Sequence, residues 1–350
     1  MASPGEEMAD DIMGVAVFGT GRIGAIHFKH LMIMPDVEVL WLVEEDTQRG
    51  ESLAKSHRSK ARVVSPEHSE QVYADKRVSA VVVATPAATH EEIIQKSLKA
   101  GKAVFCEKPI DVSWKVVRRL YDEAEQAGKP LQCGFNRRFD PQLRHLQRRL
   151  LSGEIGKPMM AKTCSRDACP DMASAAAYSA AHGGYFLDST VHDIDVMCWL
   201  LGEHPISVSC TVHTHDPVFM QHGDFDTIVA VLKFPSGVIG VIDQSRHAVY
   251  GHDQRVEVLG SNGMLTSENQ HPSSVHHWTP EGVSGTPIVY NLHRYDSAYE
   301  EELKHFIKTA AGKESLELTG DHVVKVMQIA TACRESAVRG QTIELNKLFA

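Results

Sequence analysis

Residues 13–134 alternate short β-rich apolar runs with helical stretches, and this rhythm constrains the fold more than any other feature of the chain. Residues 15–18, 37–43, 61–64, 78–84, 103–106 and 130–134 read as strands. Helices are predicted from the loop at Gly24 to Met34 and over 47–57, 90–100 and 113–127, the last two stopped by Gly101 and Gly128. Val81-Val82-Val83 is the continuous β-branched run of a parallel strand buried on both faces. Strands and helices in this order predict an α/β fold, a doubly wound parallel sheet.

After Gly134 the rhythm changes. An arginine-rich helix is predicted over 139–151, then strands at 159–164, 206–212, 227–234, 238–245 and 254–259, with Pro235-Ser236-Gly237 as a hairpin turn. Strands in succession predict an antiparallel sheet. Helices over 298–311 and 322–339 close the chain. The expected organisation is a tail over 1–12, a dinucleotide-binding domain over 13–134, and an α+β domain with an open, mostly antiparallel sheet over 135–350; 350 residues suit about two domains. A net charge of −9 argues against a broad nucleic-acid footprint. No apolar run approaches the ~20 residues of a membrane span, and the acidic first residues lack the order of a signal peptide. The seven cysteines are scattered without a CxxC, which fits free thiols in a reducing, cytoplasmic setting; a Cys164–Cys169 pair is the alternative.

Gly19-x-Gly21-x-x-Gly24 follows the first strand and opens a helix. The first glycine permits the tight turn, the second lets backbone approach a pyrophosphate, and the third lets helix and strand pack closely. With Arg22 and Ile23 in the same loop, the helix N-terminal amides are expected to bind the phosphates. Glu44 stands 20 residues after Gly24 at the end of the second strand, where an acid accepts from a ribose 2′-hydroxyl and repels a 2′-phosphate. NAD is therefore expected over NADP, although Arg49 is near enough in sequence to reach a phosphate. Thr85 and Pro86 end the fourth strand, His90 follows, and Glu107-Lys108-Pro109 ends the fifth. Strand carboxyl ends are where such sheets bind ligands, so these residues are cofactor-contact candidates. Lys108 can also donate to a substrate oxygen, with a cis bond as one way for Pro109 to fix the chain's exit.

Asp188 and His192 lie four residues apart, ahead of the apolar run 196–201. On a helix they share a face, and a histidine oriented by an aspartate is a common base near neutral pH. Asp188 also suits a helix N-cap. Asp193 and Asp195 are expected to be first-turn charges complementing the helix dipole. His213, His215, His276 and His277 read as surface histidines rather than metal ligands, because no acidic or cysteine partner has ligand spacing. Arg144 and Arg148 read as a solvated helix face, with Arg137 the exception.

The glycine loop, Ala84-Thr85-Pro86, Glu107-Lys108-Pro109 and Gly183-Gly184-x-x-Leu187-Asp188-x-x-x-His192-Asp193 occur in the order found in the Gfo/Idh/MocA oxidoreductase family, which the chain resembles from about residue 13 to 345. Gly134-Phe135-Asn136-Arg137-Arg138-Phe139-Asp140-Pro141, Ser165-Arg166-Asp167, Glu268-Asn269-Gln270 and the stretch from Arg294-Tyr295 to Glu302 make it most similar to the inositol 2-dehydrogenase branch. The resemblance implies NAD-dependent oxidation of a cyclic polyol's secondary alcohol to a ketone. It implies that Lys108, Asp188 and His192 are catalytic and that Asn136, Arg137 and Asp167 line the substrate cleft. It also implies a homo-oligomer, dimer or tetramer, formed through the second sheet. Residues 168–182, alanine-rich here, depart from the family pattern and leave the exact polyol open. The alternatives are an NADP-dependent sugar or dihydrodiol dehydrogenase, or a non-catalytic dinucleotide-binding regulator on the same fold.

Overall fold

The computed structural model describes residues 12–169, 171–270, 273, 275–280, 282–285 and 292–349. The expected tail over 1–12 therefore lies outside the described residues except for Ile12. The chain divides into two compact units, Met1–Gly134 with Tyr299–Gly320, and Phe135–Ala298 with Asp321–Ala350.

The first unit runs β1 (Met13–Phe18), α1 (Arg22–Ile33), β2 (Val37–Val43), α2 (Thr47–Ser56), β3 (Arg62–Val64), α3 (Glu70–Ala74), β4 (Val78–Val83), α4 (His90–Lys99), β5 (Ala103–Glu107), α5 (Trp114–Gln126) and β6 (Leu131–Gly134). Its six strands form one parallel sheet in the order β3-β2-β1-β4-β5-β6. The chain winds outward one way from β1 and the other way from β4, so the carboxyl ends of these two strands meet at the switch point where such sheets bind ligands. Val15, Val17, Val82 and Phe105 of the sheet pack with Phe28 and Leu31 of α1. Each such buried side chain stabilises the fold by about 1.5–3 kcal/mol.

Leu303, Phe306 and Ile307 join this same core. Their spacing is that of a helix stripe, and the first unit satisfies it. The expected second domain, 135–350, is thus interrupted by a segment that groups with the first unit.

The chain continues as α6 (Pro141–Leu151), β7 (Pro158–Arg166), α7 (Met172–Ala181), α8 (Val191–Leu201), β8 (Ser207–His213), α9 (Pro217–Gln221), β9 (Thr227–Lys233), β10 (Ile239–Ser245), β11 (Asp253–Gly260), β12 (Gly263–Ser267), a small hairpin of β13 (His276–Thr279) and β14 (Gly282–Gly285), α10 (Asp296–Ala310), α11 (Gly320–Arg339), β15 (Ile343–Glu344) and α12 (Leu345–Leu348). Seven strands make the second sheet in the order β12-β11-β7-β10-β9-β8-β15, antiparallel throughout except between β7 and β10. On β9, Ile228, Ala230 and Leu232 are buried while Val229, Val231 and Lys233 are exposed, the alternation of a sheet covered on one face. α8 lies over the covered face so closely that a Cβ at Gly240 would stand 2.3 Å from Met197 Sδ. α7 falls in the stretch for which the sequence suggests no element. Its alanines are strong helix formers, and the Asp171 carboxylate caps it by accepting from the Ser174 amide at 3.0 Å, worth about 1 kcal/mol. The cysteines are free thiols. No helix among the described residues is long and apolar enough to cross a membrane.

Candidate active site

The glycine loop leaves β1 at its carboxyl end, and each glycine meets a different constraint. Gly19 has φ +85°, and a Cβ there would approach Ala84 O to 2.6 Å. Gly24 is pressed against the loop itself, with Gly19 O 2.0 Å from where a Cβ would be. Gly21 faces open space, with no atom within 4 Å of its would-be Cβ. It is the N-cap of α1, no side chain caps the helix, and the first turn carries no acid. Open backbone at a positive helix end suits a pyrophosphate. Arg22 is exposed beside it and Ile23 half-buried.

Glu44, at the end of β2, points its carboxylate at this loop. Oε2 accepts from the Thr20 amide at 2.6 Å and from Thr20 Oγ1 at 2.7 Å. Oε1 accepts from the Asp46 amide at 3.1 Å and from Arg49. Burial alone would raise the Glu44 pKa, but the Thr20 and Arg49 hydrogen bonds hold it below the ordinary carboxylate value. Arg49 is therefore engaged by the acid rather than presented to a 2′-phosphate. The glycines, the uncapped helix and this carboxylate fit the phosphates and adenosine ribose of a dinucleotide.

Thr85 and Pro86 follow β4 beside Gly19. His90, expected at the cofactor, is only 1% exposed. Its ring nitrogens lie 2.8 Å from Thr85 O and 3.0 Å from Pro109 O. In this position it ties together the turns after β4 and β5. Glu107 is also turned inward, with Oε1 2.6 Å from Nε2 of the buried His27 on α1. That carboxylate links the β5 turn to the glycine-loop helix. Lys108 follows, half-buried, and its bond to Pro109 is cis.

In the second unit a single π-helical turn, Phe186–Thr190, runs directly into α8; such turns recur at functional sites. Asp188 therefore sits inside the helical spiral and not at an N-cap. Its amide donates to Gly184 O at 2.9 Å, and its Oδ2 accepts from Arg246 Nη2 at 2.7 Å. His192, one turn on, lies edge-on to the Phe135 ring, with centroids 5.8 Å apart. Arg246 Nη1 also donates to Asp167 Oδ2 at 2.9 Å, while His252 Nδ1 lies 3.1 Å from Asp167 Oδ1. Burial would raise the Asp167 pKa, but His252 and Arg246 hold it below the ordinary value.

Asp193 stands in the first turn of α8 as expected, but both it and Asp195 are buried, 1% and 0% exposed, and are held by side-chain partners. Asp193 Oδ1 accepts from Arg137 Nη1 at 3.1 Å and Ser165 Oγ at 2.7 Å, and its Oδ2 accepts from Gln244 Nε2 at 2.5 Å. Asp195 takes a two-pronged grip from Arg138 and lies 2.9 Å from His322 Nε2. Buried carboxylates require such partners. Arg137 is thus held on Asp193, and Asn136 is buried beside it in sequence. His213 and His215 meet edge-on with ring centroids 4.5 Å apart, and the described residues contain no cluster of metal-ligand geometry. Arg246 carries no local signal in the sequence; the hint to it is that Asp188 is a candidate site acid with no Lys or Arg near it in sequence.

A model described as an oxidoreductase family with an NAD-binding Rossmann fold matches residues 13–135. One described as the GFO/IDH/MocA C-terminal domain matches residues 143–266. The protein is an oxidoreductase whose Rossmann unit takes NAD. The chain belongs to the GFO/IDH/MocA family. It is 34% identical to a myo-inositol 2-dehydrogenase of Thermotoga maritima, over 96% of this chain and 100% of that protein. It is 31% identical to an NAD(+)-dependent scyllo-inositol 2-dehydrogenase of Bacillus subtilis, over 95% and 96%. The crystal structure of a myo-inositol dehydrogenase from Corynebacterium glutamicum superposes with a TM-score of 0.88 at 31% identity, covering 95% of this chain and 99% of that one.

Proposed function

We propose that this chain oxidises a secondary alcohol of an inositol-like cyclic polyol to the ketone. The observation that carries the reading is the Asp188 carboxylate, oriented by Arg246 on the π-helical turn four residues before His192, in a chain similar end to end to inositol dehydrogenases. NAD, when bound, supplies the hydride acceptor. His192 takes the hydroxyl proton. Lys108 donates to the reacting oxygen and stabilises its developing negative charge. Asp188 orients His192 or accepts from an adjacent hydroxyl, and Asn136, Arg137 and Asp167 line the substrate cleft. Glu44 accepts from the adenosine ribose.

The same reading includes a homo-oligomer, dimer or tetramer, in the reducing cytoplasm. The open face of the second sheet supports it, because Val229, Val231, Ile239 and Met264 stand there exposed and an apolar patch of that kind marks an interface. The molar mass in solution tests that part.

The activity is tested by following NADH formation with NAD and a panel of inositols, monosaccharides and diols. Reduction with an inositol is expected. Silence across the panel would leave a dinucleotide-binding regulator. His192→Ala should lower turnover by about 10²–10⁴-fold, and near-wild-type turnover would remove its role as base.

A further inference from the structure

Arg246 is 8% exposed, a buried cation for which the chemistry above has no direct use. Backbone register puts it where it is. β7 and β10 run parallel with Ser245 opposite Arg166, so residues 167 and 246 leave the sheet side by side. The Asp167 amide donates to Ser245 O at 2.8 Å, and the Arg246 amide donates to Asp226 O at 2.9 Å. From this anchored start the guanidinium crosses the Tyr185 ring, 4.4 Å from its centroid. It then divides, with Nη1 on Asp167 and Nη2 shared between Asp188 and Ser189 Oγ, the last at 2.9 Å. Three chain segments, the ends of two strands and the π-helical turn, therefore meet on one rigid planar group.

We propose that Arg246 is a positioning residue whose fork sets the separation and orientation of Asp167 and Asp188, making the two carboxylates a paired grip for a substrate with several neighbouring hydroxyls. The inference deepens the function proposed above and rests on it. A carboxylate accepts hydrogen bonds from hydroxyls, and two carboxylates pinned to one guanidinium hold two acceptor directions at once. A simple secondary alcohol needs only one of them. The fork also helps hold Asp167 charged, since burial alone would raise its pKa and Arg246, with His252, keeps it below the ordinary value. Lysine cannot replace it, since an ammonium is a point donor and lacks the planar two-armed geometry.

The test is Arg246→Lys and Arg246→Ala in the full chain, with myo-inositol and NAD as probes. Losing one charge-assisted hydrogen bond corresponds to roughly a 10- to 100-fold effect. Arg246→Lys is expected to lower kcat/KM for myo-inositol by about that factor, mostly through KM, while NAD affinity and the thermal midpoint stay near wild type. Methylguanidinium added to Arg246→Ala should restore part of the loss. Two results would overturn the proposal: wild-type kcat/KM in Arg246→Lys, or a loss that follows thermal stability and NAD affinity and is not rescued. If Arg246→Ala fails to fold, the lysine variant carries the test. Wild-type protein that oxidises no inositol refutes the underlying function and this inference with it. An active wild type with an indifferent Arg246→Lys refutes the role of Arg246 alone.

Discussion

Gly21→Ala separates what the glycine loop needs in order to fold from what it needs in order to bind. The residue has φ −66° and ψ −166°, extended backbone that alanine adopts without strain, and its Cβ would meet nothing within 4 Å. Folding therefore has no reason to suffer. Gly→Ala at a compatible position commonly gains about 0.4–1 kcal/mol by restricting the unfolded chain. Binding differs, because the methyl would occupy the space through which a pyrophosphate approaches the helix amides. Losing one hydrogen bond to a charged group costs about 1.5–3 kcal/mol, so the NAD dissociation constant should rise by about 10- to 100-fold. Gly24→Ala is the control, since its Cβ would lie 2.0 Å from Gly19 O. Loop or helix must then move, at a cost of about 1–3 kcal/mol, before any ligand arrives. NADH titration by fluorescence, with thermal melts in the absence of cofactor, reads both quantities. Undiminished NAD affinity in Gly21→Ala, or a melt lowered as far as in Gly24→Ala, would refute the reasoning.

Asp195→Ala should destabilise the protein by about 3–5 kcal/mol in urea denaturation, because it strands the buried Arg138 guanidinium; a loss below about 1 kcal/mol would show that the pair is dispensable. Burial raises the Asp195 pKa, but Arg138 and His322 outweigh it and leave the folded-state value depressed. A depressed carboxyl contributes stability above its unfolded pKa and loses it as pH falls through the folded value. The gap between wild type and Asp195→Asn should therefore persist at neutral pH and close only below about pH 4. Lys108→Ala should cut turnover by about 10²-fold or more with NAD affinity unchanged; weakened NAD binding at normal turnover would make Lys108 a cofactor ligand instead. NAD should bind more tightly than NADP in direct titration, and the opposite order would overturn the role given to Glu44.

The parallel sheet was legible almost strand by strand, since its signals are local. A β-branched run between turn residues declares itself within six or seven positions, and β2 occupies the predicted 37–43. The glycine loop is equally self-contained, because Gly19, Gly21 and Gly24 all act within one turn of chain. What escaped was pairing at a distance. Asp193 and Asp195 look like any first-turn acids until the fold sets arginines 56 and 57 residues away against them. Arg246 looks like a strand-end charge until the register of β7 and β10 puts Asp167 beside it and the π-helical turn brings Asp188 from 58 residues away. The stripe of Leu303, Phe306 and Ile307 likewise announces that its helix must be buried without saying against what. Local sequence carries backbone preference and periodicity. Which charge neutralises which, and which core a stripe completes, depends on desolvation, and only the folded chain sets that.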